Sequence, residues 1–294
     1  VIYAKINEGT NVALNDDLTL YGINANYALD KQTTLEGYFF TKVTDASDTL
    51  HVDALTSRTA AQNAAMDTVN TKPDKVHTIG ARVVNTSLKN LSYNPALDIN
   101  AAATRMLKRQ AFALEAIATY DLKDIAKIGK YSPSVTGMYI YLSGDNANDK
   151  GPEDIKWRGW DPMYENQTVG HLANLIFPLT NAQILSVNGK IKPKEDITLS
   201  LDYAYFWLNE AYETDDTIFF NGMNLAGYTM SHNRHLGQEL DAKITYDYTE
   251  DVQLGLLAGM FLPGSAFQKG TDEDGTSNNR NIANEVIGSM KVTF

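Results

Sequence analysis

The chain has 294 residues, a formal net charge of −11, 43% apolar residues and no cysteine. Disulfide frameworks and thiolate metal sites are therefore excluded, and the acidic balance offers no electrostatic footprint for nucleic acid. No window approaches the roughly 20 consecutive apolar residues of a membrane helix, whereas a β-barrel, in which every second strand residue can be polar, is compatible with this hydropathy.

Period-2 alternation predicts strands at 1–8, 17–29, 32–44, 75–86, 89–100, 109–122 and 132–145. Pro95 argues against the strand at 89–100, because proline is normally kept to edges and bulges. The alternation of short and long connections requires that strand nonetheless. QILSVNGKIK then sets Leu185, Val187 and Ile191 opposite Ser186, Asn188, Lys190 and Lys192, and PKED leads into ITLSLDYAYFW at 197–207. In 236–248, Leu240, Ala242, Ile244, Tyr246 and Tyr248 oppose Glu239, Asp241, Lys243, Thr245 and Asp247. The three residues 249–251 close a hairpin with 252–264. A last strand, NEVIGSMKVTF, has Val286, Gly288, Met290, Val292 and Phe294 on one face and Glu285, Ser289, Lys291 and Thr293 on the other.

The prediction is all-β: a transmembrane antiparallel barrel with about twelve strands and a single domain over 1–294. Short turns alternate with long polar loops at 45–74, 146–180, 211–233 and 265–282, which places the short ones on the periplasmic side. The turn at DIAKIGKYSP is long for that side, and the connection at 9–16 is short for the other. The Ala-rich stretches 54–69 and 101–110 read as short helices in outer loops. Aromatics gather near strand ends, with Tyr27, Tyr120, Tyr246, Tyr248 and Phe294 at one level and Phe39, Phe112, Tyr139, Tyr141, Tyr205 and Trp207 at the other.

The final strand, closing on Phe294, resembles the closing strand of bacterial outer-membrane barrels. That resemblance implies that Phe294 belongs to an assembly signal read by the barrel-assembly machinery. WRGWDPMYENQTVGHLANLIFP (157–178), SVNGKIKPKEDITLSLDYAYFW, HLGQELDAKITYDYTEDVQLGLLAGMFLPGSAF (235–267) and YIYLSGDNAND (139–149) resemble, in that order, the alginate-export porin family. The resemblance implies an eighteen-stranded, single-chain pore in the outer membrane that exports an anionic polysaccharide through a basic lumen. With twelve strands counted here, the expectation is that about six strands' worth of chain precedes Val1.

Alternation turns Lys5, Arg82, Lys190, Lys192, Lys243 and Lys291 inward, together with Glu36, Asp98, Glu115, Asp202, Glu239, Asp241, Asp247 and Glu285. The signs are mixed, unlike the one-sign field that draws in a polyanion. Each of these charges either contacts solute or pairs across the barrel, and Lys190 and Lys192 are the better candidates for an anionic solute. Trp157, Arg158, Trp160 and Asp161 form either a sugar-binding loop constriction or a loop folded on itself. Acidic runs at 145–154 and 271–275 lack the spacing of a calcium loop, so bound calcium is a minor reading and no cofactor is expected. Ser231, His232 and His235 are the only candidates for a rim hydrolase, and the expectation is no enzyme. The functional reading is an outer-membrane channel for small polar or saccharide solutes, surrounded by lipid. The alternative is a scaffolding barrel plugged by its loops or by a periplasmic or membrane partner protein.

Overall fold

The computed structural model describes residues 1–7, 17–44, 74–103, 107–125, 127–144, 155–163, 169–177, 180–211, 217–220, 223–229, 232–267 and 281–293. Its long strands are β1 (Ile2–Asn7), β2 (Leu18–Ala28), β3 (Thr33–Thr44), β4 (Asp74–Leu88), β5 (Leu91–Ala103), β6 (Leu107–Asp121), β7 (Ser134–Leu142), β9 (Ala182–Lys194), β10 (Ile197–Leu208), β13 (His235–Asp247), β14 (Val252–Pro263) and β15 (Ala283–Val292). Each pairs antiparallel with the next along one continuous meander, from β1 to β15. These twelve are the strands expected from alternation. Among the described residues no ladder joins β15 back to β1. The remaining strands belong to outer loops: β8 (Ile155–Trp157) runs parallel to the start of β6, and β11 (Thr217–Phe220) pairs with β12 (Met223–Thr229).

A ladder on each side satisfies the backbone of a strand that has no water to bond with, which is why such a meander can stand in lipid. The side chains then sort by the pleat. On the outer face Leu185, Val187, Leu201, Leu240, Ile244, Leu256, Val286 and Met290 are exposed although apolar. In a soluble core they would be buried; here they form the lipid-facing band. The outer aromatic level is continuous around part of it, with Phe112 stacked on Tyr141 at 5.1 Å, and Trp207 within 6.5 Å of Tyr139 and 5.6 Å of Tyr205.

The periplasmic turns are tight, as expected. At the β2–β3 turn the Asp30 carboxylate accepts the backbone N–H groups of Gln32 and Thr33, both at 2.7 Å. The Gln32 bond above all holds the Asp30 pKa below its ordinary value. The long turn after β6 is built on a 3₁₀ turn, Gly129–Tyr131.

Two expectations are corrected. The stretch 101–110 is not a helix: Ala101–Ala103 end β5, Leu107–Gln110 begin β6, and the two strands are paired up to Ala103↔Lys108. Ladder bonds on both sides outweigh the modest helical preference of alanine. Lys5 faces outward, because it pairs with Thr19 on the face that carries Tyr3 and Tyr21, and it reaches Asp17 at 3.1 Å. Lys192 lies in an irregularity of the β9–β10 ladder, where Ile191↔Leu199 is followed by Lys194↔Ile197. The bulge interrupts the alternation there, and the ladder does not fix the facing of Lys192. Pro95, by contrast, is accommodated mid-strand: it pairs with Ala116 on β6, while the β4 ladder passes from Arg82↔Ala96 to Asn85↔Tyr93 and so is interrupted opposite it. Phe294, the 54–69 stretch and both acidic runs lie outside the described residues.

The sorting by faces has a measurable consequence. Leu201→Arg, on the outer face at mid-strand, should cost about 2–4 kcal/mol, whereas Ser200→Arg, its inward neighbour, should cost far less. Urea titration of the barrel folded into lipid vesicles would show equal costs if the faces were assigned wrongly.

Candidate functional site: a loop folded into the bore

The inner face changes character along its length. Toward the periplasmic end β9 and β10 present Asn188, Lys190, Ser200 and Asp202, but toward the outer end the same face becomes Ala182, Ile184, Ala204, Phe206 and Leu208, all nearly fully buried. Ala111, Ala113, Ile140, Leu142, Leu236 and Phe261 join them from the neighbouring strands. An apolar patch inside a bore needs a cover, and the connection between β7 and β9 supplies it. Trp160, Val169, Ala173 and Phe177 of that segment complete the cluster, and Phe177 sits 5.4 Å from Phe206 and 6.0 Å from Phe261, ring to ring.

The segment is stapled where it leaves and re-enters the wall. The Ser143 hydroxyl donates to the Arg158 carbonyl at 2.7 Å, and its backbone carbonyl accepts from the Trp160 N–H at 2.9 Å. The Thr180 hydroxyl donates to the Trp160 carbonyl at 2.7 Å. Between these points lies a short helix, α1 (His171–Ile176), whose first N–H groups have no intrahelical acceptor. Glu239 of β13 provides one: its carboxylate accepts from Leu172 at 2.6 Å and from Ala173 at 2.7 Å, while Asp241 accepts from the His171 N–H at 3.2 Å. The His171 imidazole meets Glu285 of β15 at 2.7 Å. Gly170, which precedes the helix at φ 75°, has to be glycine twice over, since a Cβ there would also stand 2.5 Å from the Glu239 carboxylate. Glu239 and Asp241 thus neither line an open pore nor pair with Lys243. They hold a loop.

On the other side of the bore the segment is tied by charge. Asp161, almost fully buried, bonds Lys42 of β3 and lies 3.2 Å from Arg109 of β6. Burial alone would raise the Asp161 pKa, but the charges of Lys42 and Arg109 prevail and lower it. Of the expected sugar-binding quartet, Trp160 is 1% exposed and Asp161 is neutralised by the wall, so neither offers an open face to a solute. Arg158 is exposed, and the Trp157 side chain lies outside the described residues. Two of the four, Trp160 and Asp161, are thus folded against the barrel.

What the segment leaves open is asymmetric. Beside α1, a pocket of about 90 Å³ lies among Met138, Ser186, Asp202 and Glu239. Between Trp160–Met163 and the β2–β6 wall, a cavity of about 350 Å³ is bounded by Asn24, Glu36, Tyr38, Phe40, Arg82 and Glu115. Of the two, the cavity on the β2–β6 side is the larger. Below the segment, the rung Lys190–Ser200–Lys243 crosses β9, β10 and β13. Both lysines are exposed, with no ion pair among the described residues, and Lys291 faces the same space from β15. Arg82 is bound to Glu36 at 2.6 Å, and Asp202 accepts from Asn188 at 2.5 Å. Sequence reasoning missed the part played by Lys42, Arg109, Gly170 and Phe177, although Phe206 and Leu208 on an otherwise polar inner face were a legible sign that something covers them.

At the outer rim, His235 stacks on Tyr205 at 4.7 Å and Ser231 lies outside the described residues. The described residues include no group of three His, Asp or Glu placed to hold a metal.

A meander with a lipid-compatible outer face, a charged inner face and a loop folded into the bore defines an outer-membrane β-barrel channel. The alginate export profile matches residues 10–281, and the chain belongs to that family, in the bacterial outer membrane. No curated protein sequence matches significantly. Solved structures with a similar course include the KdgM porin, at 8% identity over 96% of this chain and 94% of that one (TM-score 0.33). The COG4313 outer membrane channel from Pseudomonas putida F1 is 12% identical over 94% and 84% (TM-score 0.35). The siderophore receptor PirA from Acinetobacter baumannii is 8% identical over 94% and 39% (TM-score 0.42).

Two outcomes follow from these ties. Glu239→Ala strands two helix N–H groups, at a cost of about 1–3 kcal/mol. It should raise single-channel conductance as the segment loosens; unchanged conductance would mean that Glu239 does not hold the segment. For Asp161, whose pKa is lowered on folding, the stabilisation is complete above the ordinary carboxylate value of about 3.9. It is lost as pH falls through the lowered value. Acid denaturation of wild type should therefore steepen below about pH 4 relative to Asp161→Asn, a difference that thermal melts across pH would reveal.

Proposed function

We propose that the whole chain, 1–294, acts as one passive channel for small polar or saccharide solutes, with no catalytic step and no cofactor. The single observation that carries this reading is the pair of exposed, unpaired lysines, Lys190 and Lys243, facing the periplasmic half of the bore directly below the inserted segment. Neither lysine forms an ion pair among the described residues, although Lys243 acts on the charge of Asp202 on the neighbouring strand, and their field acts on whatever enters. Lys291 adds to it from β15. From this vestibule a solute passes into the cavity along Arg82 on the β2–β6 side, while α1 closes the side on which Asp202, Glu239 and Asp241 stand. Lipid contacts the outer face, and Phe294 is assigned to recognition by the assembly machinery.

The packed outer half of the bore favours a second reading, a barrel closed by its own loop that serves as a scaffold for a periplasmic or membrane partner. Planar-bilayer recording separates the two. The channel reading predicts ohmic conductance from the purified, folded protein, and a folded protein without conductance supports the scaffold. In the conducting protein, replacing Lys190 and Lys243 together by Glu should shift the reversal potential in a salt gradient toward cation selectivity; an unmoved potential would take both lysines off the route.

A further inference from the structure

The cavity on the β2–β6 side is more than a gap left by the loop. Tyr38 pairs directly with Gly80 and Phe40 with Gly22. At both glycines the aromatic ring occupies the space a side chain would need: an ideal Cβ would stand 2.4 Å from the Tyr38 ring and 2.0 Å from the Phe40 ring. Each ring therefore lies over the neighbouring strand. The two are 5.6 Å apart, tilted by 47°, half-buried, and both line the cavity. Two rings laid along a wall make a platform for the apolar face of a ring-shaped solute.

The charges beside that platform do not balance. Arg82 is committed to Glu36, and Lys42 and Arg109 are committed to Asp161. One guanidinium therefore serves three carboxylates: besides pairing with Glu36, Arg82 acts on Glu115, which has no hydrogen bond or ion pair of its own among the described residues, while Asp98 accepts from the Tyr38 hydroxyl. Asp98 and Glu115 stand on adjacent strands, on adjacent rungs of the inner face, where Asp98 pairs with Ala113 and Ala96 with Glu115. Trp160–Met163 roof the space and keep bulk water from part of it. A carboxylate pair in a partly dehydrated site binds a donor cation more strongly than it would in water, and repels an anion for the same reason.

We propose that this cavity is a binding subsite for a protonated amine carried on a sugar-sized ring, an amino sugar and not a uronic acid. The ammonium bonds Asp98 and Glu115, and the ring lies on Tyr38 and Phe40, where the cation also gains from the aromatic faces. A volume of about 350 Å³ is that of a small-molecule site. The proposal rests on the channel reading and deepens it: the subsite is a stage of the proposed route beyond the lysines, and its charge opposes theirs.

Titration calorimetry on the detergent-folded protein near pH 6 tests it with three probes: the glucosamine dimer, its N-acetylated form and the galacturonic acid dimer. The glucosamine dimer should bind about tenfold or more tighter than the acetylated one, and the uronic dimer weakest. Glu115→Gln should abolish that preference in a barrel still folded by its heat-modifiable migration, and Asp98→Asn, if it folds, should do the same. Equal binding of the two glucosamine probes, no binding of any probe, or a preference untouched by Glu115→Gln overturns the subsite. A protein that conducts without discriminating the dimers keeps the channel and loses the subsite. One that discriminates them without conducting keeps the subsite and loses the channel.

Discussion

The strict alternation of side chains along a strand governs everything in this protein. Because neighbouring residues point to opposite faces, each strand serves lipid with one set and the bore with the other, and no residue serves both. A one-residue slip would turn Glu239 and Asp241 into lipid and Leu240 and Ala242 inward. The ladders on either side of β13, which pair it without break to Tyr246↔Leu254 and from Ile197↔Tyr246 to Phe206↔Gly237, fix that register. The loop contacts depend on it, since Glu239 meets Leu172 and Ala173 only from the inner face.

Within the bore the strands meet two different interiors. Their periplasmic halves face solvent and keep polar residues, while their outer halves on β6–β14 face a folded segment and carry an apolar core. Burial and polarity therefore run opposite to those of a soluble domain: the exposed apolar residues are outside, and a core of conventional chemistry sits inside the ring. The helix termini and charges of the inserted segment follow the usual rules once this is seen. Its N–H groups need acceptors, its buried Asp161 needs cations, and the wall supplies both.

The strands were legible in the sequence because alternation is a local signal, and even the strand containing Pro95 was required by the parity of the connections. The site was less so. Ion pairs such as Asp161 with Lys42 join residues 119 positions apart, and no local pattern reports them. The bulge at Lys192 and the ladder that straightens 101–110 are likewise decided by a neighbouring strand. The part that could have been read is the drift of one face from Asn188 and Lys190 to Ile184 and Ala182, and from Ser200 and Asp202 to Phe206 and Leu208. That drift is the exception to polar-in alternation.

The segment between β7 and β9 crosses the bore off-centre, with its apolar side welded to β6–β14 and its charged edge reaching Lys42. On the channel reading proposed above, holding and passing thereby fall to different arcs of the barrel. Substitutions on β2–β5 away from Lys42 then retune which molecules pass while the weld stays intact, so such a barrel changes its diet without rebuilding its skeleton.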